Sequence, residues 1–535
     1  MLLEFALSLS FLLLLLLLLL QKQQRQLRLS SGRTPPGPGG PPFLGQLPAF
    51  FAKALRFGRR FRFHLYLQGL SRRFGPVTAF RLGTQRFVLI SGHAALREAL
   101  IGRGDAFGYR MDTPFFRYLS RKRGLAMSDG PLWAEHRRFA VRAFRRLGLG
   151  GPQAEALIEA ECRSLLDALA DALDGRASAK VDASDLITRA IVNVISQLLF
   201  STRADYSDSE LSEYVSHLST LTHGDFVTLL ITCYPWLPIR PMLALSSGAR
   251  ALDRSNNWVL EFMRTRVEAV RAGRLDPNFW TDPDSQPANY VEAYLLEQQR
   301  QLRETGSVGT FDDYQLYRSA YDIYLGGTET SANSLRWLLL MAALHPDMQR
   351  RCRLEVAAAI GTDWRPVSMA DREKLPFTRA FIEETLRLVV PLPLGVNSRV
   401  VRATEVLGCT VEPSDFVMLN LFATHRDPEH FPEPERFNPE RFIEPESGRC
   451  RRLDQAVSFG IGRRACLGEQ LAQRELLTLF GSLLSRFRFE LGDAEKAEPE
   501  RLEELMLGSI GLIRAPGDHR LRITRVDWSD EKIDD

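Results

Sequence analysis

One cysteine in this chain stands in a setting that could do chemistry. Residues Phe459-Gly460-Ile461-Gly462-Arg463-Arg464-Ala465-Cys466-Leu467-Gly468 form a glycine-punctuated loop that presents Cys466 just before a helical pattern. A helix N-terminus and neighbouring arginines both favour the thiolate, the form of sulfur that binds metals. A lone cysteine in a turn is more often structural and inert, but three glycines and two arginines surround this one. The other five, Cys162, Cys233, Cys352, Cys409 and Cys450, form no C-x-x-C pair and no regular spacing, so neither a zinc site nor a disulfide framework is expected.

A second unusual segment is Gly326-Gly327-Thr328-Glu329-Thr330-Ser331, inside a long helical pattern. Each glycine costs about 1 kcal/mol relative to Ala in a helix interior, so a compensating purpose is expected. Thr330 can return its hydroxyl to the carbonyl of Gly326 and leave room for a small ligand or water. Close packing against another helix is the plain alternative. Glu384 and Arg387 share one helical face, as do Trp133 and Arg137. An isolated charged pair of this kind usually decorates a surface and contributes little.

These residues need elements to position them. Residues 312–344 hold no proline and would make a helix about 50 Å long, which must cross the core. Further helices are predicted over 347–360, 377–388 and 468–487, the last starting beside Cys466. Apolar spacing of three and four residues predicts helices over 154–173 and 186–200 within a mostly helical stretch from 132 to 344. Prolines at 235, 238 and 241 predict a loop over 234–242. Residues 77–91 read as a hairpin turning at Gly83-Thr84, 404–411 and 521–526 as strand-like pieces, and 428–445 as proline-rich coil. No repeat is evident, and the expected class is mainly α with a smaller β region, in one large domain.

The 535-residue composition is that of a folded protein, with 45% apolar and 25% charged residues. A net charge of only +4 argues against a nucleic-acid binder driven by bulk charge. Residues 5–20 form a run of leucine with Ala, Ser and Phe, and Leu2 and Leu3 precede it across Glu4; at about 1.5 Å per residue the span 2–20, about 28 Å, just crosses a hydrocarbon layer of roughly 30 Å. Glu4 precedes this run and Gln21-Lys22-Gln23-Gln24-Arg25 follows it, unlike the flanks of a cleaved signal peptide. We therefore expect an uncleaved transmembrane anchor over 1–20. Lys22, Arg25, Arg28 and Arg33 would keep the body in the cytosol, with the endoplasmic reticulum as the expected membrane. Residues 21–45 read as a basic, proline-rich hinge, stiff and irregular through Thr34–Pro42.

Phe459, Gly462, Arg464, Cys466 and Gly468 match the pattern F-x-x-G-x-R-x-C-x-G, and on it the chain resembles the cytochrome P-450 superfamily. Four more segments are similar to family motifs in the family's order. They are Trp133 to Arg137 (W-x-x-x-R), Gly326 to Ser331 (A/G-G-x-D/E-T-T/S), Glu384 to Arg387 (E-x-x-R) and Pro439-Glu440-Arg441-Phe442 (P-E-R-F). The resemblance implies a P-450-type catalytic domain over 46–535 that binds heme b (iron protoporphyrin IX). It casts Cys466 as the axial iron ligand, with a thiolate's electron push favouring O–O cleavage. It casts Arg464, Arg137 and Arg399 as propionate partners, Trp133 as a flat neighbour, and Phe459 and Gly462 as parts of the ligand loop. Gly468 would let the following helix lie close to the porphyrin. Glu329 and Thr330 become the acid and alcohol that relay protons to dioxygen at the haem, and Glu384, Arg387 and Arg441 a structural network behind it. The chain departs from the family at Gly326, where Ala is usual, and at Ser398, where His is frequent.

The same resemblance implies a monooxygenase drawing electrons from NADPH through cytochrome P-450 reductase, docked on the basic face of Arg137, Arg138, Arg142, Arg145, Arg146 and Arg463. Cytochrome b5 is a second candidate for that face. Pocket regions carried over from the family offer Phe115, Phe116, Phe226, Leu229, Tyr324, Leu394, Val396, Ile510 and Leu512, which suit a lipophilic substrate such as a steroid, fatty acid, terpenoid or xenobiotic. The pattern looks most like the microsomal animal members. A haem-thiolate isomerase or dehydratase often lacks the acid and alcohol pair, and a non-catalytic haem-binding protein would not need the basic face.

Overall fold

Gly83 takes a φ of 59°, a left-handed value that glycine adopts without strain, and the chain turns back there as expected. Strand β1 (Val77–Leu82) thus pairs antiparallel with β2 (Gln85–Ser91). A computed structural model describes residues 33–526, apart from 223–225, 275–276, 281, 283, 362–363, 493–498 and 510. The expected anchor and the first part of the hinge lie outside the described residues, and no described helix is long and apolar enough to cross a membrane.

The described residues fall into two compact units, the first made of residues 33–111 and 396–420. Its sheet has the order β1-β2-β8-β5-β3, with β8 (Phe416–Asn420) parallel to β2, and β5 (Ser398–Arg399) antiparallel to both β8 and β3 (Tyr109–Arg110). The strand-like piece expected over 404–411 is instead a tight hairpin of β6 (Thr404–Val406) and β7 (Cys409–Val411). Leu407 and Gly408 both take positive φ, 47° and 71°, which reverses the chain between them. The carbonyls of Pro36 and Arg33 accept from the backbone N–H groups of Ala79 and Thr410, tying the proline segment to this unit. Helices α1 (Leu47–Phe57) and α2 (Phe63–Phe74) complete it.

The second unit, residues 112–395 and 421–526, is largely helical. Its helices include α3 (Gly130–Arg146), α4 (Pro152–Ala172), α5 (Ser184–Phe200), α6 (Ser209–Thr222), α7 (Ile239–Ala244), α8 (Ser247–Gly273), α9 (Tyr290–Thr305), α10 (Asp313–Leu344), α11 (Pro346–Ile360), α12 (Pro376–Val389) and α13 (Glu469–Arg486). The expected central helix is α10, 32 residues long, or about 48 Å. The Asp312 side chain caps it by accepting from the Gln315 N–H, and Pro346 ends it by opening α11. Its C-terminal half is buried from Ala332 through Leu335 and Trp337 to Ala343 against α4, α5, α12 and α13. The loop expected over 234–242 gives way at Ile239 to α7. Pro241 is tolerated in its first turn, where the N–H groups have no intrahelical partner. A small sheet of β4 (Ser178–Val181), β10 (Leu521–Arg525) and β9 (Phe487–Leu491) is antiparallel throughout.

Candidate functional site

The cysteine loop belongs to the second unit. Gly460 and Gly462 adopt φ of 71° and 77°, so both glycines are needed for the path of the chain. Phe459 packs against the main core, and its carbonyl accepts from the Cys466 N–H at 2.9 Å, closing the loop. Gly468 caps α13, and a Cβ placed there would meet nothing within 4 Å, so that side of the helix entrance is open. Its N–H donates to the Cys466 sulfur.

Cys466 alone among the six free cysteines is exposed. Yet desolvation pushes its thiol above the ordinary cysteine range, against the opposing pull of the Gly468 N–H and of Arg137. The sulfur is therefore crowded by protein, while solvent still reaches the residue. Burial outweighs the pull of these groups on the thiol, and Arg464 is engaged elsewhere. It donates to the Ser128 carbonyl at 2.7 Å and pairs with Asp129 at 3.2 Å.

Trp133, 5% exposed on α3, is the flat surface beneath this corner, with the Arg464 guanidinium 3.8 Å from its ring centroid. Arg137, one turn on, donates to the Ala465 carbonyl at 2.7 Å, directly before Cys466. Trp133, Arg137, Arg464 and Cys466 are thus brought together. Arg399 lies in the sheet unit, with its guanidinium 5.7 Å from the Tyr109 ring across the β5–β3 pair.

On α10 the two glycines have different reasons. A Cβ on Gly327 would come within 2.8 Å of Ile195 Cδ1, so this glycine is the packing notch that lets α5 approach. Gly326 is exposed in the middle of a core helix, with open space where its Cβ would be, and Thr330 Oγ1 donates to its carbonyl at 2.6 Å. Leu467 and Leu471, just past Cys466, pack against the cluster that contains Tyr321 and Tyr324 of α10. The open helix face and the cysteine loop thus belong to neighbouring elements.

Glu329 and Thr330 are adjacent in sequence but engage different partners. The Glu329 carboxyl accepts from Thr222 Oγ1 of α6 at 3.0 Å, and its other oxygen is buried with no partner among the described residues. Burial raises its pKa to about 7, leaving it half protonated near neutrality. Tyr324, expected in the substrate pocket, is instead core, 2% exposed with its hydroxyl 2.6 Å from Ser196. Phe115 packs in a satellite cluster with Val227, Ile231 and Leu252.

Sequence reasoning missed Glu475. It is 1% exposed on α13, and Ser331 Oγ, next in the chain to Thr330, donates to it at 2.8 Å. The available signal was a carboxylate on the stripe of Leu479 and Leu483, both fully buried. Burial raises its pKa to about 8 from a usual 4.5. Between those values the folded protein keeps a proton that the unfolded chain releases, so stability falls as pH rises from about 4.5 to about 8 and then levels. Glu329 adds to the same trend up to about 7. We expect Glu475→Gln to remove much of this slope, and unfolding midpoints in guanidinium chloride at the two ends of the window check it.

Glu384 and Arg387 of α12 are both fully buried and joined by two hydrogen bonds, 2.6 and 2.9 Å. Arg387 also donates to the carbonyls of His425 and Pro434, each at 2.8 Å. Glu384 accepts from the Asn438 N–H at 2.8 Å, and Arg441 Nε lies 3.4 Å from it without hydrogen-bond alignment. These three are one network.

Among the described residues no group of three His, Cys, Asp or Glu could hold a metal ion. The cytochrome P450 family model matches residues 35–516. The chain belongs to the cytochrome P450 family. It is 32% identical to cytochrome P450 2J1 of Oryctolagus cuniculus over 490 residues, 91% of this chain and 90% of that one. It is 32% identical to cytochrome P450 2J2 of Homo sapiens over 491 residues, and 29% identical to cytochrome P450 2U1 of Mus musculus over 511, covering 90% of each. As a cytochrome P450 it binds haem b through a cysteine thiolate and is a monooxygenase, an oxidoreductase. The residues fit that group: a reachable sulfur, an open glycine at each helix beside it, and guanidinium groups in the same corner for its carboxylates.

Proposed function

We propose that Cys466 is the thiolate ligand of the haem, and that the enzyme inserts one oxygen atom from O2 into a lipophilic molecule such as a steroid, fatty acid, terpenoid or xenobiotic. The observation that carries this is the exposure of Cys466 alone among six cysteines, on a loop shaped by two left-handed glycines and beside a donating Gly468 N–H. The bound haem supplies oxygen activation at its iron. The Gly468 N–H holds the sulfur's lone pair and tempers its electron donation. Arg464, Arg137 and Arg399 are assigned to the propionates, with Trp133 and Phe459 fixing the corner, and Gly462 and Gly468 leaving it room.

Thr330 is assigned to hand a proton toward the oxygen site, with its hydroxyl parked on the Gly326 carbonyl, and Glu329 to resupply it. A carboxyl with a pKa of about 7 gives and takes protons readily near neutral pH. We expect Thr330→Ala to retain the spectrum of the reduced carbon monoxide adduct while product per NADPH falls by about tenfold or more and hydrogen peroxide rises. Unchanged coupling would exclude this role.

Electrons are assigned to NADPH through cytochrome P-450 reductase, with cytochrome b5 as an alternative donor at the same surface. Arg138, Arg142, Arg145, Arg146 and Arg463 are all exposed there, and Arg463 lies 5.7 Å from the Trp133 ring centroid. We place the enzyme at the endoplasmic reticulum membrane, anchored once through residues 1–20, linked through 21–45, with the catalytic domain from 46 onward in the cytosol. NADPH consumption that requires both reductase and substrate tests the activity, and consumption indifferent to either refutes it. Spectral shifts on titrating steroids, fatty acids and terpenoids identify the substrate class.

A further inference from the structure

Thr222, the last residue of α6, carries the only hydrogen bond to Glu329 among the described residues. It is 4% exposed, and its carbonyl accepts from the Leu512 N–H at 2.9 Å, so the helix it ends and the turn at Leu512 both fix its position. Its hydroxyl oxygen stands 3.0 Å from Glu329 Oε1 and 3.1 Å from the Ser219 carbonyl oxygen. A threonine hydroxyl has one proton to donate and lone pairs that accept another. An ionised Glu329 takes the Thr222 proton. A Glu329 protonated at Oε1 donates to Thr222 instead, and Thr222 turns its own proton to Ser219. The contact therefore survives loading and unloading of the carboxyl, while Oε2 is buried without a partner among the described residues and stays open to a relay.

Two further groups act on this carboxyl through space, neither bonded to it. Arg336 lies two turns on along α10, bonded to Asn333 and shared electrostatically with Asp182 and Asp518. Tyr214, about two turns back along α6, is wholly buried and keeps its proton. A cation at a distance favours the carboxylate but fixes no orientation, so orientation falls to Thr222. Burial outweighs both the Thr222 bond and Arg336, which is why the carboxyl titrates near neutrality.

We propose that Thr222 is a positioning residue for proton delivery, holding the Glu329 carboxyl against the end of α6 in both its charged and neutral states. The proposal rests on the relay reading of Glu329 and Thr330 and extends it to α6. Because a hydrogen bond to a charged acceptor is stronger than one to a neutral acceptor, losing the hydroxyl costs the ionised form more, and the carboxyl should then hold its proton to higher pH.

The test uses the full-length holoenzyme. The C=O stretch of protonated Glu329, recognised by infrared spectroscopy as the band that Glu329→Gln removes, is titrated in the parent, Thr222→Val, Thr222→Ala and Thr222→Ser. Product per NADPH is measured with reductase on the same proteins. We expect Thr222→Val and Thr222→Ala to move the midpoint up by about half a unit or more and to lower product per NADPH by about threefold. Thr222→Ser should restore both, and the carbon monoxide spectrum should be that of the parent throughout. An unmoved midpoint in the valine and alanine variants overturns the proposal, as does a shift that serine does not reverse. If Glu329→Gln keeps full coupling, the relay reading falls and takes the proposal with it. If Glu329→Gln uncouples while the valine variant matches the parent, the proposal alone falls.

Discussion

Cys466→Ala yields a folded protein whose reduced carbon monoxide adduct lacks the red-shifted Soret band, and monooxygenase turnover falls to background. The loop should survive the change, because its closure is the main-chain bond from the Cys466 N–H to the Phe459 carbonyl and its path is set by Gly460 and Gly462. Arg137 still grips the Ala465 carbonyl. What disappears is the one exposed cysteine sulfur, and no other cysteine can stand in. Cys162, Cys233, Cys352 and Cys409 are buried. Cys450 lies on the partly covered bridge between residues 443 and 450. Cys450→Ala is therefore the control and keeps the band. A normal band in Cys466→Ala would show that sulfur from this loop is not the ligand.

That loop was legible in the sequence because its chemistry is local: three glycines, two arginines and a cysteine within ten residues. The same holds for α10, where the absence of proline and the Asp312 cap mark the helix, and for the Thr330 to Gly326 bond, a four-residue contact. What could not be read depends on contacts distant in sequence. Glu329 meets Thr222 across 107 residues and Ser331 meets Glu475 across 144. No periodicity reveals which carboxylate a helix will bury, so neither the partners nor the raised pKa values were available. Gly326 and Gly327 looked alike in sequence, and only the approach of Ile195 separates an open position from a packing notch. Arg464 illustrates the converse. Its type and spacing fitted a charge beside sulfur, but Ser128 and Asp129, more than 330 residues away, draw it aside.

Arg387→Ala should sharply lower the stability of the folded enzyme. The guanidinium is wholly enclosed, and its donors are taken up by both Glu384 oxygens and by the carbonyls of His425 and Pro434. Removing it strands a carboxylate with only the Asn438 N–H aligned to it, since Arg441 stands 3.4 Å off without hydrogen-bond geometry. Breaking a buried pair in this way costs about 3–5 kcal/mol, a large part of the 5–15 kcal/mol that typically separates folded from unfolded protein. Arg387→Lys should fare little better, because an ammonium cannot reproduce the planar fork that meets both Glu384 oxygens and two carbonyls at once. Glu384→Ala/Arg387→Ala should be less damaging than the sum of the single changes, since the stranded charge is gone, yet still unstable, since the His425 and Pro434 carbonyls lose their donor. Guanidinium chloride midpoints of Glu384→Ala, Arg387→Ala and the double variant decide the matter. Strictly additive losses would mean that the pair is not coupled, and that Arg387 acts through the main-chain carbonyls it meets.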